Sequence, residues 1–569
     1  MTEPVAFDQH EIRCPAFPPA AAQALLAEHY GLTAAELKPL ASFQDQNFRV
    51  TDAAGRRFVL KIANTHETWE TLDLQNQAMR HLAAKDPAFP TPRVVPSLAG
   101  GDLATAEHAG QRHFIRLLTY LEGQPLAEAA HCPPGLLDDL GDVVGRLTAH
   151  LADFDHPAGA RVIQWDLRQA QAVAAAFLKY VGDERRRRLI QQLLAQFTAE
   201  AEPLLPGLRQ SLIHGDIVDY NLLIQPDAQQ ARRVSGLIDF GDTVRSYTVG
   251  ELAVLLATVM AHSPAAPLAA AARVVGRFHA AFPLTEAELA ALFPLVGLRV
   301  CATTTSAAQQ AALEPDNAYV QEFAAAEWPT LERVAGLSPA VAHAMFRAAC
   351  GLEPHPRSPA VQAWLRANAG QLSPLLNADL ASRGVTVMDL GAGSDDLRDG
   401  VWERPGAVRA HIARTLKERG AGLGLGRHGE ARLSYTRYDS PAEPETIHLG
   451  VEIFVPAETA VFAPLAGEVA RLGWNELIVR HAPAPGCEFY TRYAGLAPAE
   501  VLTLGGRVQR GEMVGRVAAA DVGAPLPPHL HFQLACELPG DLPALAAGSE
   551  RAVWLSLCPD PNLILNIPD

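Results

Sequence analysis

Cysteine is scarce in this chain. The seven residues, at 14, 132, 301, 350, 487, 536 and 558, are scattered, odd in number and include no C-x-x-C pair. That pattern points away from a disulfide framework and makes reduced thiols in a cytoplasmic protein the expected state. The first residues, M-T-E-P-V-A-F-D-Q-H-E, lack the basic stretch and apolar run of a secretory leader, so no signal peptide is expected. No run of about 18 uncharged apolar residues occurs, so no membrane span is expected. Positive charge is outnumbered, 47 Lys and Arg against 63 Asp and Glu, and the formal charge of −16 argues against nonspecific nucleic-acid binding. No fixed-period repeat is present. What the chain has is length and apolar content: 569 residues, 49% of them hydrophobic, enough for several domains with large cores.

The richest stretch is L-I-H-G-D-I-V-D-Y-N-L-L-I over 212–224, followed by G-L-I-D-F-G-D over 236–242. Asp216, Asn221 five positions on, and Asp239 form a phosphoryl-transfer constellation. One tight loop can present Asp216 to a substrate hydroxyl. Asn221 and Asp239 can each reach a Mg²⁺ that bridges nucleotide phosphates. The apolar runs Leu222–Ile224 and Val234–Ile238 read as short buried strands beside that loop. A bare turn is the plainer reading of His-Gly-Asp, but the offsets of Asn221 and Asp239 weigh against it. Upstream, S-F-Q-D-Q-N-F-R-V and A-G-R-R-F-V-L-K-I predict a strand, a turn and a second strand ending in Lys61, placed to contact the α- and β-phosphates. The loop around Gln44–Asn47 has no glycine-rich signature, so its polar side chains and backbone amides are the expected phosphate contacts.

Texture divides the chain into four segments: 1–118 mixed helix and strand, 119–352 mostly Ala- and Leu-rich helix, 353–429 a Pro-rich linker, and 430–569 short strands with Gly and Pro turns. Within the first, Arg57–Ile62 predicts a strand and Thr68–Ala84 an amphipathic helix.

Residues 1 to about 350 resemble the aminoglycoside phosphotransferase/choline kinase superfamily, in its hydroxylysine-kinase-like branch. The resemblance rests on S-F-Q-D-Q-N-F, L-Q-N-Q-A-M, P-T-P-R-V, H-G-D-I-V-D-Y-N-L-L-I and I-D-F-G-D-T-V-R-S-Y-T-V-G-E-L-A. It implies a bilobal, α+β, protein-kinase-like fold. Asp216 is then the catalytic base, Asn221 and Asp239 the Mg²⁺ ligands, and Lys61 the phosphate lysine. ATP or GTP is the implied co-substrate, and a small amine-bearing alcohol or hydroxy amino acid the acceptor. An aminoglycoside-type antibiotic phosphotransferase is the alternative, and a non-catalytic regulatory or binding protein the third reading. The helix acid that usually pairs with the lysine is replaced by Gln75, with Asp73 and Glu70 nearby. Asp242 and Arg245 either face substrate or form a loop salt bridge.

The C-terminal segment carries I-H-L-G-V-E-I-F-V-P and P-P-H-L-H-F-Q-L. His529 and His531, at i and i+2, share one face of a strand. With His448 and Glu452 they can close a zinc site with an open position. Residues 430–540 resemble a lysostaphin-type zinc metallopeptidase, a small all-β domain. The resemblance implies His448, Glu452 and His531 as ligands and His529 as catalytic. Two departures stand out: Glu452 replaces an Asp, and Gly495 in Y-A-G-L stands where that family has a histidine. Zn²⁺ binding is therefore an open expectation, and peptidase activity a weaker one.

V-M-D-L-G-A-G-S over 387–394 imitates a methyltransferase glycine motif but is placed in the linker, without a βαβ unit. Gly422–Gly426 reads as a flexible turn, and Glu184–Arg188 as a solvated helix face. Kinase, peptidase-like and pyridoxal-phosphate aminotransferase-like units occur fused in related bacterial proteins. No third unit is expected here, so a separate pyridoxal-phosphate phospho-lyase becomes the implied partner.

Overall fold

The computed structural model describes residues 14–567 except 43, 227–231, 378–379, 381–383, 399, 405, 434–442 and 521–523. The chain forms two compact units, Met1–Leu337 and Ser338–Asp569.

The first unit opens with an antiparallel sheet. Its strands Ala34–Leu40, Gln46–Asp52, Arg57–Ile62, Gln111–Thr119 and Val94–Val95 lie side by side in that order, and Ala104–His108 also pairs with Gln111–Thr119. Alternation explains the core. Phe58, Leu60 and Ile62 point inward from one strand and meet Phe48, Val50, Ile115 and Leu117. Between them, Lys61 projects from the opposite face, opposite Asn47 on one side and Arg116 on the other. The helix Trp69–Lys85 starts where Thr68 caps it, the Thr68 hydroxyl accepting from the Thr71 amide, a bond that stabilises a helix by about 1 kcal/mol.

The rest of the unit is helical. Pro134–Leu151 packs on Pro267–Ala281, and Gly141 permits the approach, since a Cβ there would lie 2.5 Å from the Val274 carbonyl. Glu286–Leu313 runs through the centre, fixed at its start by a Thr285–Glu288 capping box. This helix is long and apolar enough to cross a membrane, but 89% of its apolar window is buried inside the unit, so it is a core helix. Three short strand pairings, Gln210–Ile213 with Val244–Tyr247, Arg232–Leu237 with Leu222–Pro226, and Leu222–Pro226 with Gln124–Pro125, interrupt the helices and carry the motif residues.

The second unit is built on an eight-stranded sheet. Its order is Val385–Met388, Leu423–Gly426, Val451–Phe454, His529–Ala535, Cys487–Ala494, Glu476–Ala484, Gly467–Leu472 and Arg507–Val508. This corrects the expectation of a linker over 353–429. That stretch contributes the first two strands and the helices Ser358–Ala367 and Ala407–Glu418. Its Pro-rich turns hid apolar residues, such as Val361, Leu365, Met388 and Ile412, that the unit buries. Gly422–Gly426 is likewise no flexible turn: 423–426 is a fully buried strand. Its glycines make room, because a Cβ on Gly424 would meet Met388 at 2.6 Å and one on Gly426 would meet Arg432 at 2.4 Å.

Val385–Met388 and Leu423–Gly426 are parallel and joined by the Ala407–Glu418 helix, so, contrary to expectation, 387–394 does lie in a βαβ unit. The loop still offers no phosphate cradle. The Leu390 amide donates to Glu430 (3.0 Å) and the Ala392 amide to the Ala431 carbonyl (2.7 Å).

Candidate functional site

The loop after Gln210–Ile213 holds Asp216 by both oxygens. Oδ2 accepts from Asn221 Nδ2 at 2.8 Å, and Oδ1 accepts from Arg299 Nη2 at 3.1 Å. Asn221 Nδ2 also reaches the Asp216 carbonyl (3.0 Å), so the amide's bonds to Asp216 use its nitrogen and not Oδ1, the atom that can ligate a cation. Burial raises the Asp216 carboxyl, and Arg299 opposes that rise. His214 and Gly215 shape the loop from behind. Both backbone amides donate to the buried Glu251, at 2.6 and 3.2 Å. The His214 ring sits edge-on to Phe240, with Nε2 3.1 Å from the Ile238 carbonyl. Burial lowers that imidazole to about 4, so it is neutral and structural. Gly215 takes φ +81°, and a Cβ there would lie 2.8 Å from the Asp242 carbonyl.

Asp239 adopts φ +63°, a left-handed backbone that is uncommon for non-glycine residues, although Asp is among the types that tolerate it. Its Oδ1 accepts from the Gly241 amide (3.2 Å) and lies 3.7 Å from Lys61 Nζ. Lys61 holds the Asp239 carboxyl below its usual range. The structure thus brings Lys61, Asp216, Asn221 and Asp239 to one place. Asp242 is pushed up to about 7 by burial and by the Asp216 and Asp239 charges. Arg245 instead pairs with Asp155, an ordinary loop salt bridge.

At the nucleotide end several polar side chains already have partners. Gln46 is committed to Phe17, donating to its carbonyl and accepting from its amide, and Asp45 accepts from Asn64. Neither side chain is left for phosphates. Gln75, Asp73 and Glu70 do not supply the lysine's partner either. Gln75 and Asn76 accept from the buried Arg116, Asp73 contacts His156, and Lys61 pairs with Asp239.

Sequence reasoning missed Arg299 and the cavity beside it. A cavity of about 400 Å³ opens at Asp216, walled by Trp165, Asp219, Tyr220, Arg299, Phe323 and Glu327 among others. Arg299 is the only charged residue between Leu289 and Leu313. A lone charge in an apolar helix was the signal available.

In the second unit, His448, Glu452 and His531 converge, all three buried, with potential ligand atoms within 4.8 Å of one another. His448 ends the strand Glu445–His448, Glu452 lies on the next, Val451–Phe454, and Glu452 and His531 are cross-strand partners. His448 Nε2 stands 3.2 Å from His531 Nδ1 and 3.7 Å from Glu452 Oε1. Nitrogens on one tetrahedral zinc lie roughly 3.4 Å apart for bonds of about 2.05 Å. The outer atoms are also set. His448 Nδ1 faces the Arg427 carbonyl (3.0 Å) and His531 Nε2 faces Gln533 Oε1 (3.2 Å), which turns both remaining lone pairs to a common centre. Burial lowers both imidazoles, His448 to about 4, so each is a neutral ligand. Glu452 Oε2 accepts from the buried Arg432 (2.6 Å), which overcomes the effect of burial and holds the carboxylate ionised. The donor set fits zinc.

His529 lies outside that cluster, its Nδ1 2.8 Å from the Pro527 carbonyl and its ring against Phe454. Gly495 takes φ +74°, and a Cβ there would lie 2.5 Å from the His529 carbonyl. The position has no room for any side chain, histidine included.

Residues 36–292 match the model of the phosphotransferase enzyme family, and residues 446–538 that of peptidase family M23. A hydroxylysine kinase of Danio rerio is 32% identical over 299 residues, covering 51% of this chain and 82% of that protein. The hydroxylysine kinase of Mus musculus is 30% identical over 345 residues, covering 56% and 90%. Among solved structures, a microcompartment-associated aminopropanol kinase aligns at 17% identity and a TM-score of 0.41, over 58% of this chain and 98% of that one. The chain belongs to the phosphotransferase enzyme family, and its first unit is a kinase with a hydroxyl acceptor on a protein-kinase-like fold. Within that family its relatives are hydroxylysine kinases, and its second unit carries a peptidase family M23 domain.

Proposed function

We propose that the first unit transfers the γ-phosphate of ATP or GTP to the hydroxyl of a small amino alcohol or hydroxy amino acid, of the hydroxylysine or ethanolamine type. The observation that carries this reading is Asp216, gripped from both sides at the wall of a cavity of about 400 Å³. That volume lies at the lower end for ligand sites and suits a small acceptor. Asp216 accepts the proton of the acceptor hydroxyl as the hydroxyl oxygen attacks the γ-phosphorus, whose bond to the β–γ bridging oxygen breaks to release the nucleoside diphosphate. Asn221, through Oδ1, and Asp239 would hold Mg²⁺, which when bound neutralises phosphate charge. Lys61 then exchanges its contact with Asp239 for the phosphates. A nucleotide-consumption screen of the full chain against hydroxylated amines, hydroxy amino acids and aminoglycosides tests it. Turnover confined to aminoglycosides would overturn it.

His448, Glu452 and His531 would hold Zn²⁺ in the second unit, where the ion when bound supplies Lewis-acid activation of water. Gly495 weighs against peptidase activity, because a missing general acid or base costs about 10²–10⁴ in rate. A cytoplasmic setting, and a separate pyridoxal-phosphate phospho-lyase that consumes the phosphorylated product, complete the proposal. Failure of product to accumulate when any such lyase is removed from cells would count against that partner.

A further inference from the structure

The cavity beside Asp216 is mainly apolar, with walls from Trp165, Val254, Ala257 and Phe323. Its charged lining residues are Asp216, Asp219, Glu327 and Arg299. Arg299 is the only one of these that is positive, and it is already occupied. It donates to Asp216, donates to the Trp165 carbonyl at 3.3 Å, and lies over the Trp165 ring with 5.3 Å to the centroid. Asp219 is held by His262 at 2.8 Å. Glu327 makes no hydrogen bond or ion pair with another described residue, although the helix Ala318–Ala335 turns it into the cavity. A half-buried carboxylate in an apolar wall is unfavourable unless a cation meets it.

We propose that Glu327, with Asp219 beside it, is the subsite that binds the acceptor's ammonium group while Asp216 takes its hydroxyl. This rests on the reading of the unit as a kinase of small amine-bearing alcohols and adds which residues select the amine. Burial, followed by the Asp219 charge, pushes the free Glu327 carboxyl up to about 7. Arg299 opposes that rise only in part, and a bound ammonium would add a counter-charge at Glu327 itself. The rings of Trp165 and Phe323 line the same space and suit a cation with a short apolar stem. Anionic hydroxy acids meet three carboxylates and a guanidinium already in use, so they are excluded. Neutral polyols fit the volume but leave Glu327 unpaired, so they bind weakly.

The test is steady-state kinetics of the full chain with Mg-nucleotide, using the best amine found in the screen and an analogue in which methyl replaces ammonium. In Glu327→Gln, the KM for the amine should rise at least tenfold, while kcat and the nucleotide KM change by less than about threefold, a tenfold step being about 1.4 kcal/mol. The parent should prefer the amine over its methyl analogue, and Glu327→Gln should erase most of that preference. Glu327→Asp keeps the charge and should retain most of the preference. An unchanged amine KM in a folded Glu327→Gln, or an equal rise for both acceptors, overturns the subsite and leaves the kinase reading standing. A parent that consumes nucleotide with no amine overturns both.

Discussion

At the scale of residues, the site depends on how a few carboxylates are held. Asp216 is positioned by Asn221 and Arg299, so removing its charge should affect chemistry more than binding. Asp216→Asn should lower kcat by about 10²–10⁴ with little change in nucleotide KM, as measured by initial rates. Glu251 acts differently. It is fully buried, raised by burial from the usual 4.5 to about 7, and it holds the two amides that set the loop. The folded state therefore retains a proton that the unfolded chain releases near 4.5. Stability from this group is fully present below that value and is lost as pH rises through about 7. The effect is on the order of 3 kcal/mol. Glu251→Gln should flatten the fall in melting temperature between acid and neutral pH, and a parallel curve would refute the assignment.

At the scale of elements, close approaches decide what the strands can carry. Gly495 shows this best, with its positive φ and a neighbouring carbonyl 2.5 Å from where a Cβ would sit. Gly495→His should lower the melting temperature of the second unit and create no peptidase activity, because the added ring cannot occupy that place without displacing the His529 strand. Hydrolysis of a glycine-rich peptide by the variant would contradict this. The zinc cluster is likewise a property of paired strands. Arg432, buried against Glu452 and Glu430, orients the carboxylate from outside the cluster. Arg432→Met should weaken zinc binding by about 10- to 100-fold in a competition titration with a chelating dye. Wild-type affinity in the variant would sink that role.

At the scale of the whole molecule, each unit owns a core. The first buries Phe48, Leu60 and Ile115 among others, and the second Val451, Tyr493 and Phe532. Calorimetry should resolve two transitions, since separate cores unfold as separate units. Mg-nucleotide should raise only one of them and a zinc chelator should lower only the other, as ligands stabilise the unit that binds them. A shift of both by either addition would contradict the separation. Residues 353–429 form no linker, because proline content does not report what a stretch buries. Prolines mark turns, but burial of Met388, Leu425 and Ile412 is decided by partners distant in the chain.

What the sequence determined by itself is the local chemistry. Asp216, Asn221 and Asp239 lie within 24 residues of one another, and short spacing through a tight loop leaves few ways to arrange them. The strand Arg57–Ile62 and the Thr68 cap are also local, set by alternation and by one hydroxyl. The tertiary structure decided what meets that chemistry. Arg299 reaches Asp216 from 83 positions away, Glu327 enters the same cavity from another helix, and Arg116 takes Gln75 and Asn76. The physical reason is the same in each case. A buried charge is satisfied by whichever partner the packed chain brings within hydrogen-bond reach, and no periodicity in the sequence records that choice.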